Sequence, residues 1–282
     1  MLAFYAVRAV AGIERVADGT YARSVRIGGQ PAIIEVRDRP ETCELVVTLH
    51  DAPPGYSDEV TRRLRRAFDL DADLASIAAH LSRDSFLAAL IAARPAVRIP
   101  SHWEPFETAM RAILGQQVTL AAAAKLSGRL VERAGPRIAG AEEGGPDRLF
   151  PDAAEVLAAD LSNMGMPGAR TRALQAVAEA FLAAPDLFTR GGSIEDTVAR
   201  LSAIKGVGPW TAQYIALRAC GEPDAFPASD VGLLRSALDA EGLRPSPKAL
   251  EARAEAWRPW RSYAAQHIWA ADGGVVASKS LT

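Results

Sequence analysis

The residues with the clearest capacity for chemistry lie between positions 201 and 230. Leu201-Ser202-Ala203-Ile204-Lys205-Gly206-Val207-Gly208-Pro209-Trp210-Thr211-Ala212 reads as a helix ending at Ile204, a tight turn with two glycines, and a new helix starting near Trp210. Such a turn brings exposed backbone N–H groups together with the positive end of a helix dipole, an arrangement that cradles phosphate. On this reading a β-carbon at either glycine would hold a phosphodiester away from the amides, and Val207 anchors the turn in the core. A lone Gly-x-Gly is equally consistent with a plain helix connection. Ser229-Asp230 precedes an amphipathic segment, and read by itself Asp230 is a helix N-cap. Asp224, in the same loop, is expected to be solvated.

Trp210 and Tyr214 are four residues apart and therefore share a helix face. Of the five tryptophans, Trp103, Trp257 and Trp260 are expected in the core. His50, His80, His102 and His267 show no ligand spacing, and Cys43 and Cys220 cannot form a four-thiolate cluster or a disulfide framework. No metal site is expected.

The chain that must position these groups has 282 residues, 49% of them hydrophobic, with 32 basic and 34 acidic side chains and a formal net charge of −2. That length supports two or three packed units. The charge balance excludes a polycation that coats nucleic acid or an anionic membrane, so any such binding needs a local patch. Apart from Lys125, Lys205, Lys248 and Lys279, the basic residues are arginines, whose planar fork suits phosphates. No apolar run approaches the roughly 20 residues that span a bilayer, and no signal segment follows Met1. A soluble intracellular protein in a reducing compartment is expected.

Short β-prone runs at Val25 to Ile27, Ala32 to Val36 and Leu45 to Leu49, separated by Gly28-Gly29-Gln30-Pro31 and Arg39-Pro40-Glu41-Thr42, predict a small antiparallel sheet. After Pro53-Pro54-Gly55, Ser57 caps a predicted helix with Val60, Leu64 and Phe68 on its apolar stripe and Arg62, Arg63, Arg65 and Arg66 on solvated faces. Arg94 to Pro100, with two prolines, forms a junction. Beyond it, helices are predicted over 106–114, 119–133, 152–161, 169–184, 193–204, 210–219, 231–240, 247–257 and 260–271. Asp152 and Glu155 have capping-box spacing, and Gly135 to Pro146 reads as a surface loop. The fold class is α+β: a small N-terminal antiparallel sheet domain with helices, residues 1–92, followed by an all-α core, residues 93–282.

The Gly206-Val207-Gly208 hairpin with Asp230 about twenty residues downstream resembles the helix-hairpin-helix DNA glycosylases. Ala112 to Thr119, Asn163 to Pro167, Phe226 to Asp230, Trp257 to Tyr263 with His267-Ile268-Trp269, and Tyr21-Ala22-Arg23-Ser24 resemble the alkylation-repair branch, 3-methyladenine DNA glycosylase II of the AlkA type. The similarity covers nearly the whole chain. It implies a two-lobed core, one lobe about 113–228 and the other about 93–112 plus 229–282.

The resemblance further implies that Asp230 faces the flipped nucleotide and stabilises an oxocarbenium-like sugar or activates water. Trp210, Tyr214 and Trp269, with Phe4 from the first domain, are implied to line the base pocket. Bifunctional relatives place a lysine two residues after the second glycine, where it attacks C1′; here Trp210 stands there, which implies hydrolysis without strand cleavage. Lys205, Gly206, Val207, Gly208 and Thr211 are the implied DNA contacts at the hairpin. Gln116 and Gln117 are those of the loop after Leu114, where Gln117 replaces the leucine wedge of some members; Gln116 equally reads as a residue that ties the loop backbone. No cofactor is implied beyond a monovalent cation that hairpin carbonyls hold in some members. The implied partner is double-stranded DNA containing damaged bases, met by a monomer in the cytoplasm, associated with the nucleoid through DNA. A noncatalytic DNA-binding protein and a glycosylase for deaminated or oxidised bases are the competing readings.

Overall fold

The computed structural model describes residues 2–238 and 242–272. A short helix, α1 (Leu2–Ala6), leads to four strands, β1 (Glu14–Ala17), β2 (Thr20–Ile27), β3 (Gln30–Arg39) and β4 (Glu44–His50), all antiparallel in the order β1-β2-β3-β4. Asp18-Gly19 and Gly28-Gly29 turn the first three strands into one another with positive φ at both positions of each pair, the conformation that two-residue hairpins require. On β3, Ala32, Ile34 and Val36 are buried and alternate with half-buried Ile33 and Glu35, the period of a half-covered sheet. Strand β1 lies ahead of the β-prone runs of the sequence.

The sheet is tied to α5 (Pro105–Leu114) by buried charges. Arg23 Nη2 lies 2.8 Å from Glu107 Oε2, and Arg111 Nη2 lies 2.7 Å from Glu14 Oε2 and 2.6 Å from Glu107 Oε1. The Tyr21 hydroxyl donates to Glu14 Oε1 at 2.6 Å. Burial pushes the Glu14 carboxyl up, but the Arg111 and Arg23 guanidiniums outweigh it and hold the group below the usual carboxylate range. Buried charges of this kind persist because each is paired.

Helix α2 (Ser57–Ala67) buries Val60 and Leu64, with Phe68 just beyond its end, as the stripe predicted. Its arginines are not all solvated. Arg63 pairs with Glu59 at 2.7 Å and with Glu104, and its guanidinium sits 5.3 Å from the Trp103 ring centroid, while Arg66 donates to the Trp103 carbonyl. The face that looked polar packs against the segment 103–104, which supplies acceptors.

Helices α3 (Leu74–Leu81) and α4 (Ser85–Ala93) are capped by Asp73 and Asp84; their nearly all-apolar sequences carry no readable stripe. Then follow α6 (Leu120–Ala134), α7 (Ala153–Ala158), α8 (Gly168–Ala183), α9 (Ile194–Ser202), α10 (Pro209–Ile215), α11 (Val231–Ser236), α12 (Pro247–Ala254) and α13 (Arg261–Ala271). Asp152 and Glu155 form the expected capping box. The predicted helix over 210–219 changes pitch: α10 passes into a π turn, Ala216–Cys220, that ends at Gly221 in the left-handed region. The predicted helix over 231–240 stops at Ser236, and residues 239 and 240 lie outside the described ones.

Packing divides the chain into two units. One comprises Met1–Ala67, His102–Leu187 and Ile204–Gly206; the other comprises Phe68–Ser101, Phe188–Ala203 and Val207–Thr282. Among the described residues no helix is long and apolar enough to cross a membrane.

Candidate active site

Asp230 caps α11, its Oδ1 accepting from the Leu233 N–H at 3.0 Å, so the cap read from the sequence is present. The same carboxylate accepts two indole N–H groups: Trp269 Nε1 donates to Oδ1 at 2.8 Å and Trp210 Nε1 to Oδ2 at 2.9 Å. A carboxylate has about four acceptor sites. Among the described residues these three bonds fill both sites of Oδ1 and one of Oδ2, which leaves Oδ2 one site for water or a substrate. Asp230, Trp210, Tyr214 and Trp269 are all half-buried.

The three aromatic side chains form one cluster. Trp210 and Tyr214 stack along α10 with centroids 5.2 Å apart and planes 20° apart, and Tyr214 meets Trp269 edge-on at 6.1 Å and 62°. One face of Trp210 is thus taken by Tyr214. Gly232 lies close against the carboxylate and the second indole: a β-carbon there would come within 3.1 Å of Asp230 Oδ1, 3.3 Å of Trp269 Cδ1 and 3.4 Å of Asp272 Oδ2.

The loop that delivers Asp230 is fastened to the start of α13, the helix that carries Trp269. The Ser262 hydroxyl lies 2.7 and 2.8 Å from the carbonyls of Glu222 and Ala225, between which it shares its one proton, and the Ser262 N–H donates to the Pro223 carbonyl at 2.9 Å. Gln213 Oε1 accepts from the Phe226 N–H at 2.9 Å. Asp224 is therefore not solvated as expected: it is 9% exposed and accepts from Arg261 Nε at 2.8 Å, from Arg261 Nη2 at 3.0 Å, and from Arg258. Its partners lie more than thirty residues away in sequence, out of reach of local pattern reading. Arg258, Arg261 and Ser262 fall in the Trp257 to Tyr263 segment, whose part in the fold is to hold this loop.

At the hairpin the two glycines differ. Gly206 has φ +91°, and a β-carbon on it would sit 2.5 Å from Ala173 Cβ on α8, so this glycine is demanded by the fold. Gly208 has φ −80° and ψ 174°, and its β-carbon position has nothing within 4 Å; it is the glycine whose open side suits a phosphate. Gly208 caps α10 without a side-chain cap, Pro209 has no N–H, and the first N–H groups of any helix lack intrahelical acceptors. Val207 is 4% exposed and packs inward, Lys205 is exposed, and Thr211 is buried at 3%, which keeps its hydroxyl from a surface contact.

Gln116 does tie backbone: its Nε2 donates to the Gly206 carbonyl at 3.1 Å, and its own carbonyl accepts from Arg170 Nη2 at 2.6 Å. Gln117 next to it is exposed with φ +54°, an uncommon backbone for a residue other than glycine. Phe4 is buried on α1, edge-on to Tyr5 at 5.3 Å, with the Arg8 guanidinium 4.0 Å from its ring centroid.

Comparison with known proteins bears on this arrangement. A family model described as the AlkA N-terminal domain matches residues 1–104, and one described as the HhH-GPD superfamily base excision DNA repair protein matches residues 110–262. DNA-3-methyladenine glycosylase 2 of Escherichia coli strain K12 is 35% identical over 277 residues, covering 97% of this chain and 93% of that protein. A protein of Mycobacterium tuberculosis strain H37Rv named probable bifunctional transcriptional activator/DNA repair enzyme AlkA is 38% identical over 266 residues. That match covers 94% of this chain, which spans about half (52%) of the mycobacterial protein. The structure of 3-methyladenine DNA-glycosylase from Archaeoglobus fulgidus superposes with a TM-score of 0.82 at 21% identity, covering 95% of this chain and 92% of that one, a likeness of fold. With an AlkA-type N-terminal domain ahead of its helical core, the chain belongs to the HhH-GPD superfamily of base excision DNA repair proteins.

Proposed function

We propose that this chain is a monofunctional DNA glycosylase that flips an alkylated purine out of duplex DNA and hydrolyses its N-glycosidic bond, leaving an abasic site. The observation that carries the reading is the convergence of the Trp210 and Trp269 N–H groups on Asp230, with an acceptor site left on Oδ2. Water adds at C1′, the base leaves with the glycosidic electron pair, and the proton shed by water passes to Asp230. While positive charge builds on the sugar, the fixed carboxylate stabilises it without reorganising.

Alkylation at a purine ring nitrogen makes the base cationic and its glycosidic bond weak. The aromatic faces of Trp210, Tyr214 and Trp269 attract such a base by roughly 0.5–2 kcal/mol through cation–π stacking, with no demand for one hydrogen-bonding edge. Flipping costs a few kcal/mol of stacking and pairing; exposed Gln117 is the residue proposed to fill the gap. Gly208 with the first amides of α10 and Lys205 are proposed to hold the phosphodiester. Trp210 has no amine with which to attack C1′, which supports water as nucleophile.

A monovalent cation held by hairpin carbonyls beside the phosphate is part of this proposal, and no step depends on that ion. The partner is double-stranded DNA carrying damaged bases, met by a monomer at the nucleoid.

The test is free-base release from duplexes carrying 3-methyladenine, 7-methylguanine, hypoxanthine or 8-oxoguanine, before and after alkali. Release of the methylated bases, with strand breaks after alkali treatment, is expected. No release from any duplex would leave a DNA-binding protein without turnover, strand breaks before alkali would contradict the monofunctional reading, and release of hypoxanthine or 8-oxoguanine alone would move the substrate class.

A further inference from the structure

Trp210, Tyr214 and Arg218 follow one another at four-residue steps along α10 and the π turn, where Arg218 stands at the middle. The guanidinium carbon of Arg218 lies 5.3 Å from the Tyr214 ring centroid and 5.2 Å from that of Trp269. The side chain is 4% exposed and clamped: Nη1 donates to the Pro100 carbonyl at 2.8 Å and Nη2 to Gln266 Oε1 at 2.9 Å. Ser101 Oγ donates in turn to the Arg218 carbonyl at 2.6 Å. Gln266 precedes Trp269 by three residues on α13, so the clamp joins the two helices that carry the aromatic cluster.

The guanidinium is a delocalised cation. Two of the rings assigned to the base, Tyr214 and Trp269, therefore already lie within cation–π distance of a fixed positive charge. We propose that Arg218 sets the charge selectivity of the base pocket, lowering its preference for cationic bases so that neutral damaged bases remain within its range. The guanidinium draws on the same ring quadrupoles and repels a cationic base directly, whereas a neutral purine meets neither effect. For charges about 8–10 Å apart in a half-buried site, that repulsion changes relative affinity on the order of tenfold. The choice of substrates rests on the glycosylase reading; the charge effect does not.

Two substitutions remove one unit of positive charge from the site in different ways. Arg218→Gln deletes the guanidinium, and Gln266→Glu leaves it in place but sets a carboxylate against Nη2, a nearly isosteric change that keeps the clamp. Arg218→Lys keeps the charge. The readouts are the ratio of single-turnover rates for 7-methylguanine and hypoxanthine in matched duplexes, and the ratio of affinities for 7-methylguanosine and inosine by tryptophan fluorescence.

Arg218→Gln and Gln266→Glu are expected to raise both ratios roughly tenfold in favour of the cation, with Arg218→Lys within twofold of wild type. Loss of rate on both substrates at a constant ratio would mean that Arg218 is structural and would overturn the proposal, as would an unchanged ratio in folded Gln266→Glu. If wild type released neither base, the glycosylase reading would fall, and the nucleoside affinities would still decide the role of Arg218. Should Arg218→Gln fail to fold, Gln266→Glu decides it.

Discussion

The indole N–H of Trp210 donates to Oδ2 of Asp230 at 2.9 Å, joining the start of α10 to the cap of α11. Two residues after the second hairpin glycine, this chain carries a donor that fixes the carboxylate. A neutral-to-charged hydrogen bond of this kind contributes about 1.5–3 kcal/mol.

Trp210→Phe removes the N–H and keeps an aromatic ring against Tyr214. Single-turnover base release should fall roughly 10- to 100-fold, with the thermal midpoint within a few degrees of wild type because the half-buried Oδ2 regains water. A variant with unaltered rate would show that the indole serves stacking and not the carboxylate.

The hairpin glycines should separate under substitution. Gly206→Ala meets Ala173 at 2.5 Å at a φ of +91° and is expected to cost roughly 2–4 kcal/mol in denaturant unfolding. Gly208→Ala fits its extended backbone and should leave stability within about 1 kcal/mol, while weakening affinity for duplex DNA carrying an abasic-site analogue. Equal loss of stability in both would contradict the division between them.

Asp224→Asn leaves the buried Arg261 guanidinium with the exposed Glu255 carboxylate, 3.0 Å from Nη1, as its remaining counter-charge and should destabilise by about 1–3 kcal/mol. Because the loop from Glu222 to Asp230 is fastened there, base release at a temperature where the variant stays folded should fall as well. A variant with wild-type stability would mean that the pair does not hold the loop.

Burial, aided by Arg94, lowers the His267 imidazole from its ordinary value of 6.5 to about 4. The unfolded chain therefore binds a proton between these values that the folded chain refuses, so stability is lost as pH falls from about 6.5 and the loss is complete below about 4, to a limit of about 3 kcal/mol. Denaturant unfolding of wild type and His267→Gln at pH 7 and pH 5 isolates the effect: the variant should lose less stability between the two, and parallel losses would contradict it.

Which parts of this molecule could be read from its sequence follows from the range of the interactions involved. The capping box at Asp152 and Glu155, the cap at Asp230 and the apolar stripe of α2 are local and were legible. The β1 strand, four residues long, is defined by its pairing with β2, and no alternation in so short a run could reveal it. The π turn at Ala216–Cys220 shares its composition with an ordinary helix. Asp224 and Arg66 looked solvated because their partners, Arg261 and the Trp103 carbonyl, lie more than thirty residues away. At the site, the shared face of Trp210 and Tyr214 followed from spacing, whereas their relation to Asp230 came from resemblance to a family, and the hydrogen bonds that join them could be seen in coordinates alone.

The most direct measurement is the single-turnover release of 7-methylguanine from a duplex by wild type and Asp230→Asn. Asparagine caps a helix as well as aspartate does, but its Nδ2 sets a donor against one of the two indole N–H groups, so the variant should lose about 1–3 kcal/mol and is assayed at a temperature where it stays folded. Loss of the charge from a preorganised site should slow release by about 10²-fold or more. A folded Asp230→Asn protein that releases the base at the wild-type rate would contradict the account.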